Sequence, residues 1–464
     1  MKSLISIAAL SILFIMSACQ QKTEETGFTG APGEVKLITL APGHFHAHLV
    51  QKSMYEQVHP TVHLYAPEGT EVQEQISRIE SYNTREEDPT SWNLEVYTGD
   101  DYLERMISEK KGNVVVLAGN NRKKTHYIKT SVSEGLNVLS DKPMVINTEN
   151  FQLLKEAFDI ARENNVLLYD IMTERYEITS LLQKELMHLP GIFGELEKGD
   201  LENPAIIKES VHHFFKYVAG SVLRRPPWYF DVNQQGEGII DVTTHLVDLV
   251  QWSCFPEQII DYTKDIEMLE AKRWPTAVTQ SQYESITRLP DFPEFLNDNL
   301  INDTTLHVYA NGEMNYTLKG VHARVSVVWD YVAPEGAGDT HYSLARGTKA
   351  NLIIRQGADE NFKPVLYIEP VNQDDISAYE EELLEEFKQV SGKYPGVELE
   401  RHGNQWKIIV PEVYALGHEA HFAQVTEKFL GFLVDGKLPD WEVPNMISKY
   451  YTTTKALEVA RSSR

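Results

Sequence analysis

From Val35 onward, short β-branched segments alternate with longer amphipathic segments, and this alternation constrains the fold more than any other feature of the chain. It is typical of parallel strands that are joined through crossover helices. The segment Val114–Leu117 is apolar at every position, as a strand covered by helices on both faces must be. We therefore predict a doubly wound parallel sheet. Its predicted strands are Val35–Ala41, Val62–Ala66, Leu94–Tyr97, Val114–Ala118, Asn137–Ser140 and Val166–Asp170, and its helices include Lys123–Ser133 and Glu149–Asn164.

The pattern changes after residue 172, where apolar and polar residues alternate over longer runs. Period-two alternation predicts antiparallel strands with one buried and one exposed face. A hairpin is predicted at Asn311-Gly312, because this dipeptide favours the tight turns between antiparallel strands. The predicted strands are Thr304–Tyr309, Glu313–Leu318, Ala323–Trp329 and Asn351–Ile354, and the predicted covering helices are Asp241–Trp252, Asp375–Val390, Glu419–Val434 and Pro444–Ala460.

These two patterns predict an α/β protein with two domains, since 464 residues exceed what one hydrophobic core usually holds. Residues 35–172 would form an N-terminal Rossmann-like doubly wound parallel sheet. Residues 173–464 would form a C-terminal α+β domain with a large, mainly antiparallel open sheet and C-terminal helices. Ligands of doubly wound folds bind at the carboxyl ends of the strands, so the expected site is a cleft between the domains. The open sheet would be the surface for a homo-oligomer.

The charge of the chain restricts the kind of partner. The formal net charge is -25, which disfavours nucleic acid, because binding a polyanion requires a basic surface. The composition, with 42% hydrophobic and 24% charged residues, is that of an ordinary globular protein. A small neutral or cationic molecule is therefore the expected ligand.

The first residues resemble a bacterial lipoprotein signal peptide. A lysine precedes the apolar run Leu4–Met16, which is too short for a stable membrane span but has the length of a secretory signal core. Small residues and then Cys19 follow, as in the sequence where such peptides are cut and the cysteine is acylated. We expect residues 1–18 to be removed and residues 19–34 to form a flexible tether. The protein would then be lipid-anchored in the bacterial cell envelope and contact a membrane only through its anchor.

Two motifs carry most of the functional information. In the first, the fourth predicted strand leads to Gly119–Asn121, a helix and a second strand that ends in Asp141–Pro143. The second motif, residues 236–248, begins Gly-Glu-Gly and has Asp241 followed four residues later by His245. A spacing of four places these two side chains on one face of a helix.

Both motifs resemble the signature segments of the Gfo/Idh/MocA family of oxidoreductases, with Asp141 in place of the family's glutamate. The resemblance implies an NAD(P)-dependent oxidoreductase, with NAD or NADP as cofactor and a sugar or sugar derivative as substrate; a redox-neutral cycle on a tightly held cofactor would suit an exported protein. The cofactor-binding residues that it implies are Gly43, His44, Phe45, His46, Glu68, Gly119, Asn120, Asn121, Asp141, Lys142 and Pro143. A polar and aromatic region before the second motif suits sugar rings, or equally a buried interface. The expected substrate contacts are Tyr176, His213, Arg225 and Trp228.

The chemistry of a sugar oxidation matches these residues. Hydride transfer from a carbinol carbon needs a base for the hydroxyl proton and a donor that stabilises the developing alkoxide. His245 is the expected base, because histidine titrates in a suitable range. Lys142 is expected to orient substrate and nicotinamide and to stabilise negative charge. Asp241 is expected to hold the lysine or a substrate hydroxyl and to tune the histidine.

The first loop departs from the pattern of the family. Dinucleotide-binding folds place Gly-x-Gly-x-x-Gly after the first strand, but residues 41–46 here read Ala-Pro-Gly-His-Phe-His. Only the middle glycine, Gly43, is present, and His46 replaces the last one. The acidic residue expected to hold a ribose is Glu68, displaced by Pro67, and it does not distinguish NAD from NADP.

Two further interpretations remain open. The histidines His44, His46 and His48 favour a metal-dependent hydrolase, since a His-x-His pair after a first strand can hold a divalent ion. Further ligands would come from His212, His213, His418 or His421. The other interpretation is a non-catalytic sugar-binding envelope protein, because a fold does not by itself establish a function. The oxidoreductase interpretation includes no metal site.

Overall fold

The computed structural model describes residues 27–218 and 221–462. The expected signal peptide, residues 1–18, and the expected lipid attachment at Cys19 lie outside these residues. The first half of the expected tether, residues 19–26, also lies outside them. The described chain contains two large sheets, which are taken in turn below.

The N-terminal sheet is all parallel and contains six strands within the described residues. These strands are β1 (Leu37–Leu40), β2 (Thr61–Ala66), β3 (Asn93–Thr98), β4 (Val114–Leu117), β5 (Asn137–Asp141) and β6 (Leu168–Ile171). Their order is β3-β2-β1-β4-β5-β6, the arrangement of a doubly wound sheet whose order reverses beside β1. This confirms the predicted Rossmann-like sheet, and each predicted strand overlaps an observed one.

Helices cover both faces of this sheet. They are α1 (His46–Leu49), α2 (Thr70–Thr84), α3 (Tyr102–Glu109), α4 (Lys124–Ser133) and α5 (Thr148–Glu163). Every residue of β4 is buried, which explains why its sequence carries no polar position. The helix α1 is only one turn long, so the first crossover differs from the long helix that usually follows a first strand.

The C-terminal sheet is mainly antiparallel, as predicted. Its region contains β7 (Ile206–Phe215), β8 (Tyr217–Val218), β9 (Ser221–Val222), β10 (Ile266–Thr279), β11 (Leu300–Ile301), β12 (Thr305–Leu318), β13 (Val321–Val332), β14 (Thr340–Arg346), β15 (Ala350–Arg355), β16 (Val365–Pro370), β17 (Glu398–His402) and β18 (Gln405–Ile409). The order is β10-β12-β13-β7-β14-β15-β16-β18-β17; β11 pairs with β12, and β8 and β9 form a separate pair. Only β13 and β7 run parallel among these described pairs.

The hairpin predicted at Asn311-Gly312 is wrong, because both residues lie inside the continuous strand β12. The side chain of Asn311 occupies an irregularity in the pairing with β10: its Nδ2 donates to the carbonyl of Trp274 at 3.0 Å, and its Oδ1 accepts from the N–H of Trp329 at 2.7 Å. A Cβ on Gly312 would lie 2.5 Å from the Cβ of Ile239. The glycine therefore serves close packing against the strand and not a turn.

The remaining helices pack on the inner face of this sheet and against the first domain. They are α6 (Ile178–Met187), α7 (Val232–Gln235), α8 (Thr243–Cys254), α9 (Gln280–Thr287), α10 (Ile376–Lys393), α11 (His418–Asp435) and α12 (Glu442–Ser462). All four predicted helices are present, although α8 begins at Thr243 and not at Asp241. Cys254 is buried, and burial raises the pKa of its thiol to about 11, as expected for a core residue. In residues 27–218 and 221–462, no helix has the length and hydropathy needed to cross a membrane.

A buried ionic network joins β6 and the residues after it to α8 and α12. The guanidinium of Arg175 donates to both carboxylate oxygens of Asp248 at 2.7 Å and to Glu442 at 2.9 Å. Lys449, which is 0% exposed, lies 2.7 Å from Asp170 and 2.8 Å from Asp248. Each charge in this network has an opposite charge beside it, which burial requires.

Candidate active site

A cavity of about 490 Å³ lies between the carboxyl ends of the parallel strands and the inner face of the large sheet. Lys142, Asp241 and His245 all line it, so the three residues proposed for catalysis share one cavity. The first loop contributes His44, Phe45 and His46 to the same wall. A smaller cavity adjoins it and shares four of its residues, His44, Phe45, Arg225 and Tyr229.

Lys142 directly follows β5 and points into the large cavity. Its Nζ donates to Asp241 Oδ1 at 2.7 Å, and Asp241 Oδ2 accepts from Gln235 Nε2 at 3.0 Å. Burial alone would lower the pKa of Lys142, but the carboxylates of Asp241 and Asp141 raise it above its usual value. The lysine is therefore a fixed cation at the wall of the cavity.

His245 lies in the first turn of α8, on the same side of the cavity. Its Nδ1 is buried and has no hydrogen-bond partner in residues 27–218 and 221–462. Burial, and then the charge of Lys142, lowers the pKa of His245 well below its usual value. The imidazole is therefore neutral near pH 7 and able to accept a proton.

His44, His46 and Asp141 form a compact cluster beside the cavity. His46 Nδ1 lies 3.0 Å from Asp141 Oδ2, and His44 Nδ1 lies 3.7 Å from the same oxygen. One possible ligand atom from each of these residues lies within 4.8 Å of the others, so the cluster could hold a metal ion. His48 is not part of it, because its Nδ1 lies 2.6 Å from the hydroxyl of Tyr82 on the other side of α1.

The first loop folds differently from a glycine-rich phosphate loop. The N–H groups of Gly43 and His44 both donate to the carbonyl of Ala118, at 3.1 and 3.2 Å, so they are not directed at a ligand. A Cβ on Gly119 would lie 2.2 Å from the carbonyl oxygen of Ala41. The residues that follow β1 and β4 thus approach each other as closely as in a dinucleotide fold. The N–H groups of Gly43 and His44, however, donate to the protein's own backbone.

Several residues expected at the cofactor are placed elsewhere. Glu68 is exposed and lines neither cavity, because β2 ends at Ala66 and the turn after it faces solvent; Glu71, in the first turn of α2, lines the smaller cavity. Asn120 and Asn121 bind the segment before α8: their Nδ2 atoms donate to the side chain of Gln234 and to the carbonyl of Gln235, both at 2.7 Å. Neither asparagine lines a described cavity.

The residues expected at the substrate are also divided. Arg225 lines both cavities, with its guanidinium carbon 4.3 Å from the centroid of the Tyr229 ring. Trp228 lines neither; its indole contacts Gly43, and its Nε1 donates to Glu71 at 3.1 Å. His213 and Tyr176 line neither cavity: His213 Nδ1 lies 3.1 Å from Asp339 Oδ1, and Tyr176 packs against the core of the first domain.

Other residues line the cavity that the sequence did not assign to the oxidoreductase site; of those below, His212 was expected only as a possible metal ligand. The inner face of the large sheet contributes Lys208, Ser210, His212, Trp329, Asp339, His341 and Ser343. Asp339 accepts from Lys216 Nζ at 2.6 Å and from both His212 and His213, and these contacts, against the effect of burial, hold its pKa well below the usual range. The sequence signal for this wall is that polar residues stand at the alternate positions 208, 210 and 212 of β7, which places them on one face of the strand.

Two family models match successive parts of the chain. Residues 43–170 match the family model described as "Oxidoreductase family, NAD-binding Rossmann fold", and residues 182–461 match the one described as "Putative oxidoreductase C terminal domain". No curated protein matches the chain. The crystal structure of a "putative oxidoreductase" from Parabacteroides merdae is 58% identical in sequence, with a TM-score of 0.93, and the similarity covers 94% of this chain and 100% of that one.

More distant solved structures share the fold. A levoglucosan dehydrogenase, solved with NADH and levoglucosan, has a TM-score of 0.56 at 13% identity, with 92% of this chain and 98% of that chain covered. A 3-ketoreductase from Actinomadura kijaniata, solved with NADP and TDP-benzene, has a TM-score of 0.54 at 12% identity, with the same coverage. At such identities the similarity concerns the fold alone.

Proposed function

The chain belongs to the Gfo/Idh/MocA family of oxidoreductases, and from this membership we propose that it transfers a hydride between a nicotinamide and a carbinol carbon of a sugar or sugar derivative. The observation that carries the proposal is the convergence of the Lys142–Asp241 ion pair and the neutral His245 on one large cavity. A fixed cation and a neutral base are the two protein groups that such a reaction requires.

The cofactor is NAD or NADP, since the N-terminal domain is an NAD-binding Rossmann domain. When bound, its nicotinamide ring accepts or gives up the hydride. The residues present fit this group: the large cavity contains the unpaired buried Nδ1 of His245, and the adjoining cavity offers Arg224, Arg225 and Glu71. We propose that these guanidinium groups hold the phosphates and that Glu71 holds a ribose, in place of the loop amides that Ala118 occupies.

His245 is proposed to take the proton of the substrate hydroxyl. Its imidazole is kept neutral by burial and by the nearby Lys142, so it is available as a base at neutral pH. Lys142 is proposed to donate a hydrogen bond to the same oxygen as negative charge develops on it. Asp241 is a positioning residue, because it fixes the Nζ of Lys142 at 2.7 Å and maintains its charge.

The sugar character of the substrate is supported by the cavity and by two relatives in fold. Aromatic side chains, Tyr229 and Trp329, lie among polar groups on the wall, which suits the apolar faces and hydroxyl groups of a sugar ring. The levoglucosan dehydrogenase and the 3-ketoreductase described above have the same fold. A redox-neutral cycle, in which a tightly held cofactor is reduced and reoxidised within one turnover, is part of this proposal.

We expect the purified chain to release NAD or NADP when it is denatured, or to bind added dinucleotide with saturation. The expected readouts are nicotinamide fluorescence of the supernatant and mass spectrometry of the released molecule. Turnover is then measured with a panel of sugars and NAD or NADP, by the absorbance of reduced nicotinamide. A chain that neither releases nor binds a dinucleotide would contradict the oxidoreductase proposal.

The cluster of His44, His46 and Asp141 supports a second candidate function, a metal-dependent hydrolase. Burial lowers the pKa of both histidines, so both imidazoles are neutral and have lone pairs for a metal. Elemental analysis of the protein after incubation with zinc should then find about one ion per chain. His46→Ala should abolish this binding and His48→Ala should leave it intact. Equal zinc retention in the two variants would exclude this cluster as the site.

We also propose that the chain is exported and attached to a membrane of the cell envelope through Cys19. This proposal is supported by the start of the sequence, where an apolar run is followed by small residues and a cysteine. Copies of the chain would associate through the outer face of the large sheet. Mass spectrometry of the first mature residue tests the anchor, and sedimentation tests the association.

A further inference from the structure

The C-terminal sheet forms one wall of the large cavity, and this wall carries a buried lysine without an acidic partner among the described residues. Lys208 lies on β7, is 4% exposed and lines the cavity. Its Nζ donates to Gln183 Oε1 at 2.8 Å. No carboxylate in residues 27–218 and 221–462 forms an ion pair with it, although the other two lysines on this cavity, Lys142 and Lys216, are paired with Asp241 and Asp339.

The groups around Lys208 do not neutralise its charge. Gln183 is a neutral amide whose Oε1 also accepts from Ser343 Oγ at 2.8 Å. Glu177 is the carboxylate that acts on it electrostatically, but the oxygens of Glu177 accept from Thr179 and Ser180 at the start of α6. Burial lowers the pKa of Lys208 to about 8, so most of the lysine is still charged at neutral pH.

A buried nitrogen without a hydrogen-bond partner in the described residues, His341 Nε2, lies on the same face of the sheet. Strands β7 and β14 pair so that Lys208 is opposite Ser343 and Ser210 is opposite His341. All four of these residues line the cavity, and the buried Nε2 of His341 has no hydrogen-bond partner in residues 27–218 and 221–462. One cation and one unpartnered imidazole nitrogen thus face the same space, where an anion would satisfy both.

We propose that Lys208 and His341 bind the carboxylate of an acidic sugar, so that the substrate of the reaction proposed above is a uronic acid or a related sugar carboxylate. This inference rests on the proposed function and specifies its substrate class. A single negative charge matches Lys208, the lysine on this wall that forms no ion pair within the described residues, and the neighbouring hydroxyl groups of Ser210 and Ser343 add no charge. Arg225 also lacks an acidic partner within residues 27–218 and 221–462, but it lines the adjoining cavity as well and is one of the groups proposed above to hold the phosphates of the cofactor.

Replacement of Lys208 should change the thermal stability and the anion binding of the protein in different directions. A buried charge without a partner destabilises a fold, whereas a hydrophobic residue of similar volume at the same position is neutral or stabilising. Lys208→Met should therefore leave the Tm unchanged or raise it while weakening the binding of an anion. A lysine that merely supported the fold would show the opposite, a lowered Tm with unchanged ligand preference.

The test is isothermal titration calorimetry on the full chain with D-glucuronate, D-galacturonate and D-mannuronate, each compared with its parent hexose. At least one uronate should bind more than about tenfold more tightly than its hexose, and Lys208→Met should weaken that uronate by on the order of 30-fold without affecting the hexose. The control is Lys272→Met, at an exposed lysine on β10, which should change neither affinity. If Lys208→Met does not fold, Lys208→Arg is the second variant. It keeps the positive charge, so it should retain the preference for the uronate over the hexose.

The outcomes separate this inference from the proposed function. A panel in which no uronate is preferred, or in which Lys208→Met retains the preference, overturns the subsite. Tighter binding of glucose 6-phosphate or glucose 6-sulfate than of every uronate overturns the carboxylate assignment. Uronate binding that depends on Lys208 without any nicotinamide-dependent turnover supports the subsite and contradicts the oxidoreductase. Nicotinamide-dependent turnover of neutral sugars, with no uronate preferred over its hexose, supports the oxidoreductase and contradicts the subsite.

Discussion

Lys142→Met is expected to lower kcat/KM by about a hundredfold to a thousandfold, the loss that follows removal of one donor to a developing oxyanion. The Nζ of Lys142 is held at 2.7 Å from Asp241 and faces the cavity. Its charge is therefore in place before the reaction, and a methionine of similar shape removes that charge with little change in packing. Steady-state turnover on the best sugar of the panel measures the effect, and thermal unfolding shows whether the variant is folded.

The pH dependence of Asp241→Asn distinguishes a positioning role from a purely structural one. Burial lowers the pKa of Lys142, and the carboxylate of Asp241 is the main group that raises it again. Without this carboxylate the pKa of Lys142 should fall, so the protonated form is lost at a lower pH. The alkaline limb of the kcat/KM profile should then move to lower pH. A folded Lys142→Met with full activity, or an Asp241→Asn profile that does not move, would rule out these roles.

The central strands of the N-terminal sheet could be predicted because their residues are buried and mostly apolar, as at every position of β4. The edge strand β3 is largely exposed, and it was predicted from its place in the alternation of strands and helices. The Asn311-Gly312 hairpin was predicted wrongly, since the same dipeptide can serve a bulge in one long strand when a neighbour such as Ile239 packs against the glycine. A local sequence pattern does not distinguish these two uses, because the deciding contact comes from a residue far away in the chain.

The residues of the candidate site also include some that could be predicted from the sequence and some that could not. Lys142, Asp241 and His245 could be predicted because they stand in two motifs whose context matches a known family. Lys208 and His341 could not, because their proximity depends on β14 pairing with β7, two strands separated by six others in the sequence. The sequence predicted Glu68, and not Glu71, as the residue that holds the ribose. The turn after β2, which contains Glu68, is exposed, and the first turn of α2, which contains Glu71, lines the smaller cavity.

Asp248→Ala is expected to lower the free energy of unfolding by about 3–5 kcal/mol, as when one partner of a buried ion pair is removed. Asp248 is 2% exposed and accepts two hydrogen bonds from Arg175 and one from Lys449. Its loss leaves two buried cations with fewer acidic partners, and Asp170 and Glu442 do not replace the missing charge. Urea unfolding of wild type and variant at pH 7 measures the difference.

The pH dependence of this loss follows from the direction of the pKa shift. Arg175 and Lys449 outweigh the effect of burial and lower the pKa of Asp248 below its ordinary value. Its stabilising contribution is therefore complete above the ordinary aspartate pKa and is lost only as the pH falls through the lower value of the folded state. The difference between wild type and Asp248→Ala should stay constant across neutral pH and narrow in strong acid. Asp159→Ala, at an exposed pair with Arg162, is the matched control and should leave the unfolding free energy unchanged. Equal effects of the two substitutions would mean that the buried network contributes nothing to holding α8 and α12 against the first domain.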